Sequence, residues 1–316
     1  MSEEKTQPLV SIIIPVYNGA EYMREAIDSA LAQTYKNCEI LVVNDGSCDE
    51  GKTDEIARSY GEKIRYFQKE NGGVSTALNF GIANMRGEYF SWLSHDDSYA
   101  PEKIEKQVAL LEKFQDKKTI ALCESDKMDK DSKPFNEGWV GKKLPENTLI
   151  GQDGFLSYLF KNGAFNGCSL LIPKTAFDEC GGFDERMRYS QDMFMWLKFA
   201  LAGYSLVYEK ETLSFMRMHG GQLTQRGIEI YHKDCETMSE YLIPALIKFS
   251  DKKRNHLYEY AVYNAKYNTP AVWKRCVKEG KPLIGFFETI GIWFVSLYGG
   301  VRPLIRQIYL KLFKKL

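Results

Sequence analysis

Two adjacent carboxylates, Asp96 and Asp97, stand just beyond the apolar run Glu88–Leu93, whose Tyr89, Phe90, Trp92 and Leu93 mark a buried strand. Side chains leaving the carboxyl end of such a strand lie where open α/β sheets bind ligands. Paired carboxylates repel each other, and a hard divalent cation, Mg²⁺ or Mn²⁺, bridging to the phosphates of a nucleotide relieves that repulsion. Taken alone, the dipeptide also fits a solvated Asp-Asp turn, and the rest of the chain has to decide. A second stretch suited to phosphate chemistry is Gly46-Ser-Cys-Asp-Glu-Gly-Lys-Thr53, which satisfies G-x-x-x-x-G-K-[ST]. It follows a predicted strand and precedes a predicted helix, so a P-loop NTPase that uses Gly46–Thr53 is a competing reading. Asp49 and Glu50 speak against it, because they put two negative charges where backbone amides would cradle a polyphosphate.

The elements that must position these residues alternate. Val10–Val16 is a short β-branched run, read as a buried parallel strand, and Asn18 and Glu21 then have the spacing of a capping box. Tyr22, Met23, Ala26, Ile27, Ala30 and Leu31 recur at helical intervals. A strand at Glu39–Val43, a helix at Thr53–Tyr60, a strand at Ile64–Phe67 and a helix from Asn71 to about Met85 lead into the Glu88–Leu93 strand. This order predicts an α/β fold with a doubly wound, mostly parallel sheet. Beyond the carboxylates, Pro101 is placed to open a helix, Ile120–Cys123 and Cys168–Ile172 read as strands, and Gln191–Ala202 as an amphipathic helix. Residues 124–150 read as a long surface excursion, and Gln225–Glu279 as helical without a sheet.

Acidic and basic residues balance at 42 each, so bulk charge gives no indication of nucleic acid as a partner. The seven cysteines are dispersed without a C-x-x-C pair, which predicts free thiols in a reducing compartment rather than a zinc site or disulfide framework. Met1–Pro8 is polar and does not read as a secretory signal, so a cytoplasmic address is expected. The tail differs. Leu283–Val301 has Glu288 as its only charge, and Arg302–Leu316 is basic, with Leu304, Ile305, Ile308, Tyr309, Leu312 and Phe313 on one helical face. An apolar helix beside a basic amphipathic one predicts attachment to the surface of an anionic membrane, at its inner face, rather than a span. The alternative is a helical pair docked on the domain.

In order along the chain stand Val10-Ser-Ile-Ile-Ile-Pro-Val-Tyr-Asn-Gly19, Asn44-Asp45-Gly46-Ser47, Asn71-Gly-Gly-Val-Ser-Thr-Ala-Leu-Asn79 and Trp92-Leu-Ser-His-Asp-Asp97. Gly181-Gly-Phe-Asp-Glu185, Gln191-Asp192 and Arg217-Met-His219 continue the series. Together they resemble the family 2 glycosyltransferases, a nucleotide-sugar-dependent, inverting group with a GT-A fold. The resemblance covers roughly residues 9–224 and makes Asp45-Gly46-Ser47 part of a nucleotide-binding turn. It implies a GT-A domain over 1–224, a helical extension over 225–280 and the attachment helices over 281–316.

It also implies roles. Pro15, Tyr17 and Asp45 would hold the nucleoside, Asp96 would lie near the ribose or metal, and Asp97 would be the principal ligand of Mn²⁺ or Mg²⁺. Arg217 and His219 would neutralise the diphosphate leaving group, and Asp192 would be the catalytic base, although an aspartate at a helix start is also a common cap. Two departures stand out: Ser94 replaces the first Asp of D-x-D, and Leu78 replaces an Arg that helps bind the nucleotide sugar in many relatives. The implied activity is metal-dependent transfer of a hexosyl-type sugar from a UDP-sugar to a glycan or lipid-linked acceptor, in cell-surface polysaccharide synthesis.

Overall fold

The computed structural model describes residues 7–136, 138, 144–220, 227–251, 255–281 and 283–298. Strand β1 (Val10–Val16) is buried along its whole length, as its run of Val and Ile requires. Helix α1 (Met23–Leu31), strand β2 (Cys38–Asp45), helix α2 (Lys52–Arg58), strand β3 (Arg65–Lys69), helix α3 (Val74–Asn84) and strand β4 (Tyr89–Trp92) follow. β2 and β4 flank β1 in parallel and β3 lies outside β2, so the chain reverses its direction across the sheet between β1 and β4. Such a switch point opens a crevice at the carboxyl ends of the strands. The register sets Val16 beside Asn44 and Ile13 beside Trp92, which brings the ends of β1, β2 and β4 to one edge.

Strand β5 (Ser98–Tyr99), helix α4 (Lys103–Phe114), strand β6 (Thr119–Met128), strand β7 (Leu149–Ile150) and helix α5 (Gln152–Asn162) come next. Then follow β8 (Leu170–Pro173), α6 (Lys174–Cys180), α7 (Gln191–Leu201) and β9 (Ser205–Arg217). The sheet runs β3-β2-β1-β4-β8-β6-β9-β5, with β7 on β9 and β8 antiparallel to both its neighbours. Under it Ile12, Ile14, Leu93, Ile104, Leu111 and Leu171 share one core. The chain divides into two compact units, Met1–Phe155 with Ala164–Arg226, and Leu156–Gly163 with Gly227–Leu316. The second unit holds α8 (Ile228–Phe249), α9 (His256–Lys266), α10 (Pro270–Glu279) and a helix over 286–298.

Three expectations change. β6 runs five residues past Cys123, because Glu124, Ser125 and Asp126 are buried with partners: Tyr208 Oη donates to Glu124 Oε2 at 2.8 Å and the Asn136 amide to Asp126 Oδ2 at 2.5 Å. Asn18 does not cap α1; its φ is +50° and its Oδ1 accepts from the Cys48 amide at 2.8 Å, tying the end of β1 to the loop after β2. Pro101 lies in the turn before α4, which begins at Lys103. The expected basic helix of 302–316 lies outside the described residues, and among those no helix is long and apolar enough to cross a membrane.

Candidate active site

Asp45 ends β2, and its carboxylate is turned inward at 3% exposure. Oδ1 accepts from Lys69 Nζ at 2.6 Å and the Gly72 amide at 3.1 Å, and Oδ2 from the Gly73 amide at 2.7 Å. The carboxylate thereby meets the start of α3, where unpaired N–H groups and the helix dipole favour an anion. Gly46 makes the approach possible: its φ is +68°, and a Cβ there would stand 2.6 Å from the Asn71 nitrogen. Of the other residues assigned to the nucleoside, Pro15 is buried in β1, whereas Tyr17 is 44% exposed with its hydroxyl 3.5 Å from Cys48 Sγ. The Tyr17 hydroxyl and then Asn18 hold the Cys48 thiol below its usual pKa.

Beyond β4 the two aspartates take different places. Asp97 is 4% exposed; its Oδ1 accepts from the Arg217 amide at 3.0 Å and its Oδ2 from the Cys168 thiol at 3.2 Å. Burial, and then the Asp96 charge, push its carboxyl well above the usual range. Asp96 instead meets His219, with Nε2 2.9 Å from Oδ2. His95 turns back under the loop, hydrogen-bonded to the Pro15 carbonyl, and burial lowers its pKa. Its ring leaves space only for glycine at position 19, where a Cβ would lie 2.7 Å from His95 Cδ2.

Arg217 is 1% exposed and its guanidinium is already engaged. Nε donates to the Asp96 carbonyl at 2.9 Å, one terminal nitrogen to the Asp129 and Lys130 carbonyls and Ser132 Oγ, and the other to Glu25 Oε2 at 2.6 Å. The guanidinium also lies over the Tyr22 ring, 4.6 Å from its centroid. This geometry makes Arg217 a clasp beneath the Asp96 loop, and leaves His219, which tilts against the same tyrosine ring, as the member of the pair whose side chain meets the Asp96 carboxylate.

Asp192 is in the first turn of α7, half-buried, with Oδ1 accepting from the Met193 amide at 2.6 Å. Its lead-in segment is stitched to α3: Asn79 Nδ2 donates to the Phe183 carbonyl at 2.9 Å, Ser75 Oγ reaches the Met187 carbonyl at 3.5 Å, and Arg188 donates to the Gly72 carbonyl at 2.8 Å. Asp192 and Asp45 are therefore carried by segments that meet at the start of α3. Sequence reasoning missed Lys69, Cys168 and Arg188. Only Lys69 left a signal, since it pairs in register with Asp45 across the ends of two neighbouring strands.

The P-loop pattern forms an ordinary helix start. Thr53 is fully buried, and its hydroxyl and amide both donate to Asp49, at 2.6 and 3.1 Å. Lys52 points outward to Glu50 at 3.1 Å. The hydroxyl and the lysine that would serve a phosphate and its metal are thus spent on a cap and a solvent-exposed pair. As for a metal, no group of three or more His, Cys, Asp or Glu side chains among the described residues could hold one. The donor set present is Asp96 with His219, while both oxygens of Asp97 accept hydrogen bonds. Mg²⁺-type sites commonly use one or two protein ligands and complete themselves with substrate phosphates and water, so these residues fit half of such a site.

The comparisons identify the family and the fold. A family model described as glycosyl transferase family 2 matches residues 11–181. An uncharacterized glycosyltransferase of Rickettsia bellii (strain RML369-C) is 49% identical over 233 residues, covering 73% of this chain and 33% of that protein. Another, from Rickettsia typhi (strain ATCC VR-144 / Wilmington), is 49% identical over 228 residues, covering 72% of this chain and 70% of its own length. The chain thus spans about a third of the first relative. Among solved structures, S. aureus TarS 1-349 in complex with UDP-GlcNAc superposes with a TM-score of 0.65 at 16% identity, covering 92% of this chain and 79% of that one.

Proposed function

The chain belongs to glycosyl transferase family 2 and has its GT-A fold, and on that footing we propose that it transfers a sugar, with inversion, from a UDP-sugar to a hydroxyl of a glycan or lipid-linked acceptor. The observation that carries the reading is that Arg188, in the segment leading into Asp192, donates to the Gly72 carbonyl, next to the Gly73 amide that donates to Asp45. Asp192 takes the proton of the acceptor hydroxyl, whose oxygen attacks the anomeric carbon as the nucleoside diphosphate departs. Asp45 Oδ2, which among the described residues accepts only from Gly73, keeps a lone pair for a base N–H, and the exposed Tyr17 is close enough to feel the Asp45 charge. UDP-GlcNAc in the TarS structure supports uridine as the base.

Asp96 and His219 would hold a Mn²⁺ or Mg²⁺ ion, which when bound neutralises charge on the leaving diphosphate. Asp97 then serves as the buried anchor that orients its neighbour, and Arg217 as the clasp that holds the loop. The acceptor reading rests on the helix over 286–298, where Phe286, Phe287, Phe294 and Tyr298 are 75%, 83%, 60% and 62% exposed. Such a face suits the surface of a membrane that carries a lipid-linked glycan.

Asp192→Asn tests the mechanism. It keeps the shape and the helix-start hydrogen bond but lacks the basic oxygen, so transfer falls by a factor of about 10²–10⁴ while UDP still raises the melting temperature in the presence of Mn²⁺. Retained turnover removes Asp192 from the mechanism. Stabilisation of the wild-type protein by ATP but by none of UDP, dTDP or GDP sinks the whole reading.

A further inference from the structure

Three polar side-chain atoms close to these carboxylates are sealed from solvent and have no hydrogen-bond partner among the described residues: Trp92 Nε1, Asn166 Nδ2 and Gln191 Oε1. Trp92 and Gln191 are 7% and 8% exposed. A buried polar atom left unpaired costs roughly 1–3 kcal/mol, and folded proteins leave few of them. A group in one neighbourhood, next to the reacting residues, calls for a partner that arrives with the substrate.

Their positions say which part of the substrate. Trp92 ends β4, the strand that delivers Asp96 and Asp97. Asn166 opens the turn that carries Cys168: its Oδ1 accepts from the Cys168 amide at 2.9 Å, and Cys168 in turn donates to Asp97 at 3.2 Å. The two segments are in contact, since a Cβ on Gly167 would lie 2.3 Å from Trp92 Cε3. Gln191 begins α7 directly before Asp192, and that helix packs back on the same segments. The Phe183 ring lies 5.9 Å from Trp92 and 6.1 Å from Trp196, whose Nε1 donates to the Phe165 carbonyl at 3.4 Å. The three atoms therefore sit on the segments that carry the carboxylates assigned to the diphosphate and the one assigned to the acceptor hydroxyl. By those assignments the sugar in transit lies between them.

We propose that Trp92, Asn166 and Gln191 recognise the transferred sugar of the donor, and that this sugar is neutral, a hexose or N-acetylhexosamine and not a uronic acid. The inference rests on the donor reading above. Two N–H donors and one carbonyl acceptor, all uncharged, match hydroxyl or acetamido groups, which both give and take hydrogen bonds. A carboxylate-bearing sugar would find no charged partner among these three side chains to offset the cost of burying its charge. Because the three atoms are closed to solvent, the sugar must move side chains to reach them, and pairing the unpaired atoms offsets that opening.

The test measures melting temperature and binding calorimetry with Mn²⁺ and UDP, UDP-glucose, UDP-N-acetylglucosamine or UDP-glucuronate, on the wild-type protein, Gln191→Met and Trp92→Phe. A neutral UDP-sugar binds more tightly than UDP to the wild type, and each variant loses about tenfold of that added affinity while its affinity for UDP itself is unchanged. Gln191→Met without nucleotide melts about 2–4 °C higher, the opposite of what loss of a structural contact gives. Should Gln191→Met fold poorly, Trp92→Phe decides by the same binding increment. If UDP binds but no neutral sugar adds affinity, if the increment survives in the variants, or if UDP-glucuronate gains as much, the inference is overturned and the donor reading stands. If neither UDP nor any UDP-sugar binds, the donor reading falls and takes the inference with it.

Discussion

Lys103 is fully buried behind β4, and among the described residues no carboxylate is a hydrogen-bond partner of its ammonium. Its Nζ donates to Gln107 Oε1 at 2.8 Å and Ser91 Oγ at 3.2 Å and lies 4.1 Å from the centroid of the Tyr99 ring. These contacts soften the burial of its charge without cancelling it, and burial lowers its pKa to about 8. The unfolded chain holds that proton up to the usual value of 10.5, so between the two pH values the unfolded state binds more protons and stability rises with pH. Below about pH 8 both states are protonated and the full cost remains. Lys103→Met removes the term. The difference in unfolding free energy between variant and wild type, followed by denaturant titration from pH 7 to 9.5, should be largest at neutral pH, on the order of 3 kcal/mol, and shrink as pH rises. A difference that stays flat with pH contradicts a charged lysine in the core. Comparing the two proteins cancels buried Tyr35 and half-buried Tyr60 and Tyr66, whose hydroxyls desolvation raises to about 12 in both.

The elements most legible in the sequence are those whose fate is decided locally. β1 and β4 read as strands because their apolar runs must be covered on both faces, and α3 and α7 because glycine or polar residues precede an apolar period. The acidic pair reads from the strand that delivers it, whereas the roles proposed for Asp45 and Asp192 come from the order of motifs and not from their local sequence. What stayed hidden depends on partners distant in sequence. The buried end of β6 needs Tyr208 and Asn136, and β9, whose Glu209–Thr212 stretch is largely polar, is a strand because β6 pairs along most of it. Arg217 is the sharpest case: its sequence neighbourhood suggests a phosphate ligand, whereas its position at the end of β9 makes it the fastening between α1, the turn after β6 and the loop of Asp96. Removing a buried, fully engaged arginine strands its acceptors, so Arg217→Met should lose about 3–5 kcal/mol in denaturant unfolding. Glu25→Gln should lose far less, because Glu25 is 41% exposed. Equal losses from the two would mean that the guanidinium serves Glu25 alone and not the loop.

At the scale of the whole molecule the question is what covers the apolar face of the last described helix. Ile284 and Ile292 are 3% and 0% exposed, and a Cβ on Gly291 would lie 3.6 Å from Tyr258 Oη, so one side of the 286–298 helix is packed within the second unit. On the other side Phe286, Phe287, Trp293, Phe294, Leu297 and Tyr298 are between 49% and 83% exposed. Single exposed apolar residues are normal, but an aromatic cluster of this kind marks an interaction surface. The sequence beyond it, Arg302–Leu316, adds Arg302, Arg306, Lys311, Lys314 and Lys315 and no acidic residue, and basic residues near an anionic surface contribute roughly 1 kcal/mol each. Deleting the chain from Leu283 would be a poor test, since it removes the buried Ile284 and Ile292 along with the exposed face. Phe287→Glu with Phe294→Glu leaves the packed side intact. The double variant should keep its melting temperature within a few degrees and lose sedimentation with vesicles containing anionic lipid, while wild-type binding weakens as salt rises. If the variant still sediments with these vesicles, or if the wild type binds neutral and anionic vesicles alike, the aromatic face and its basic extension are not the membrane contact.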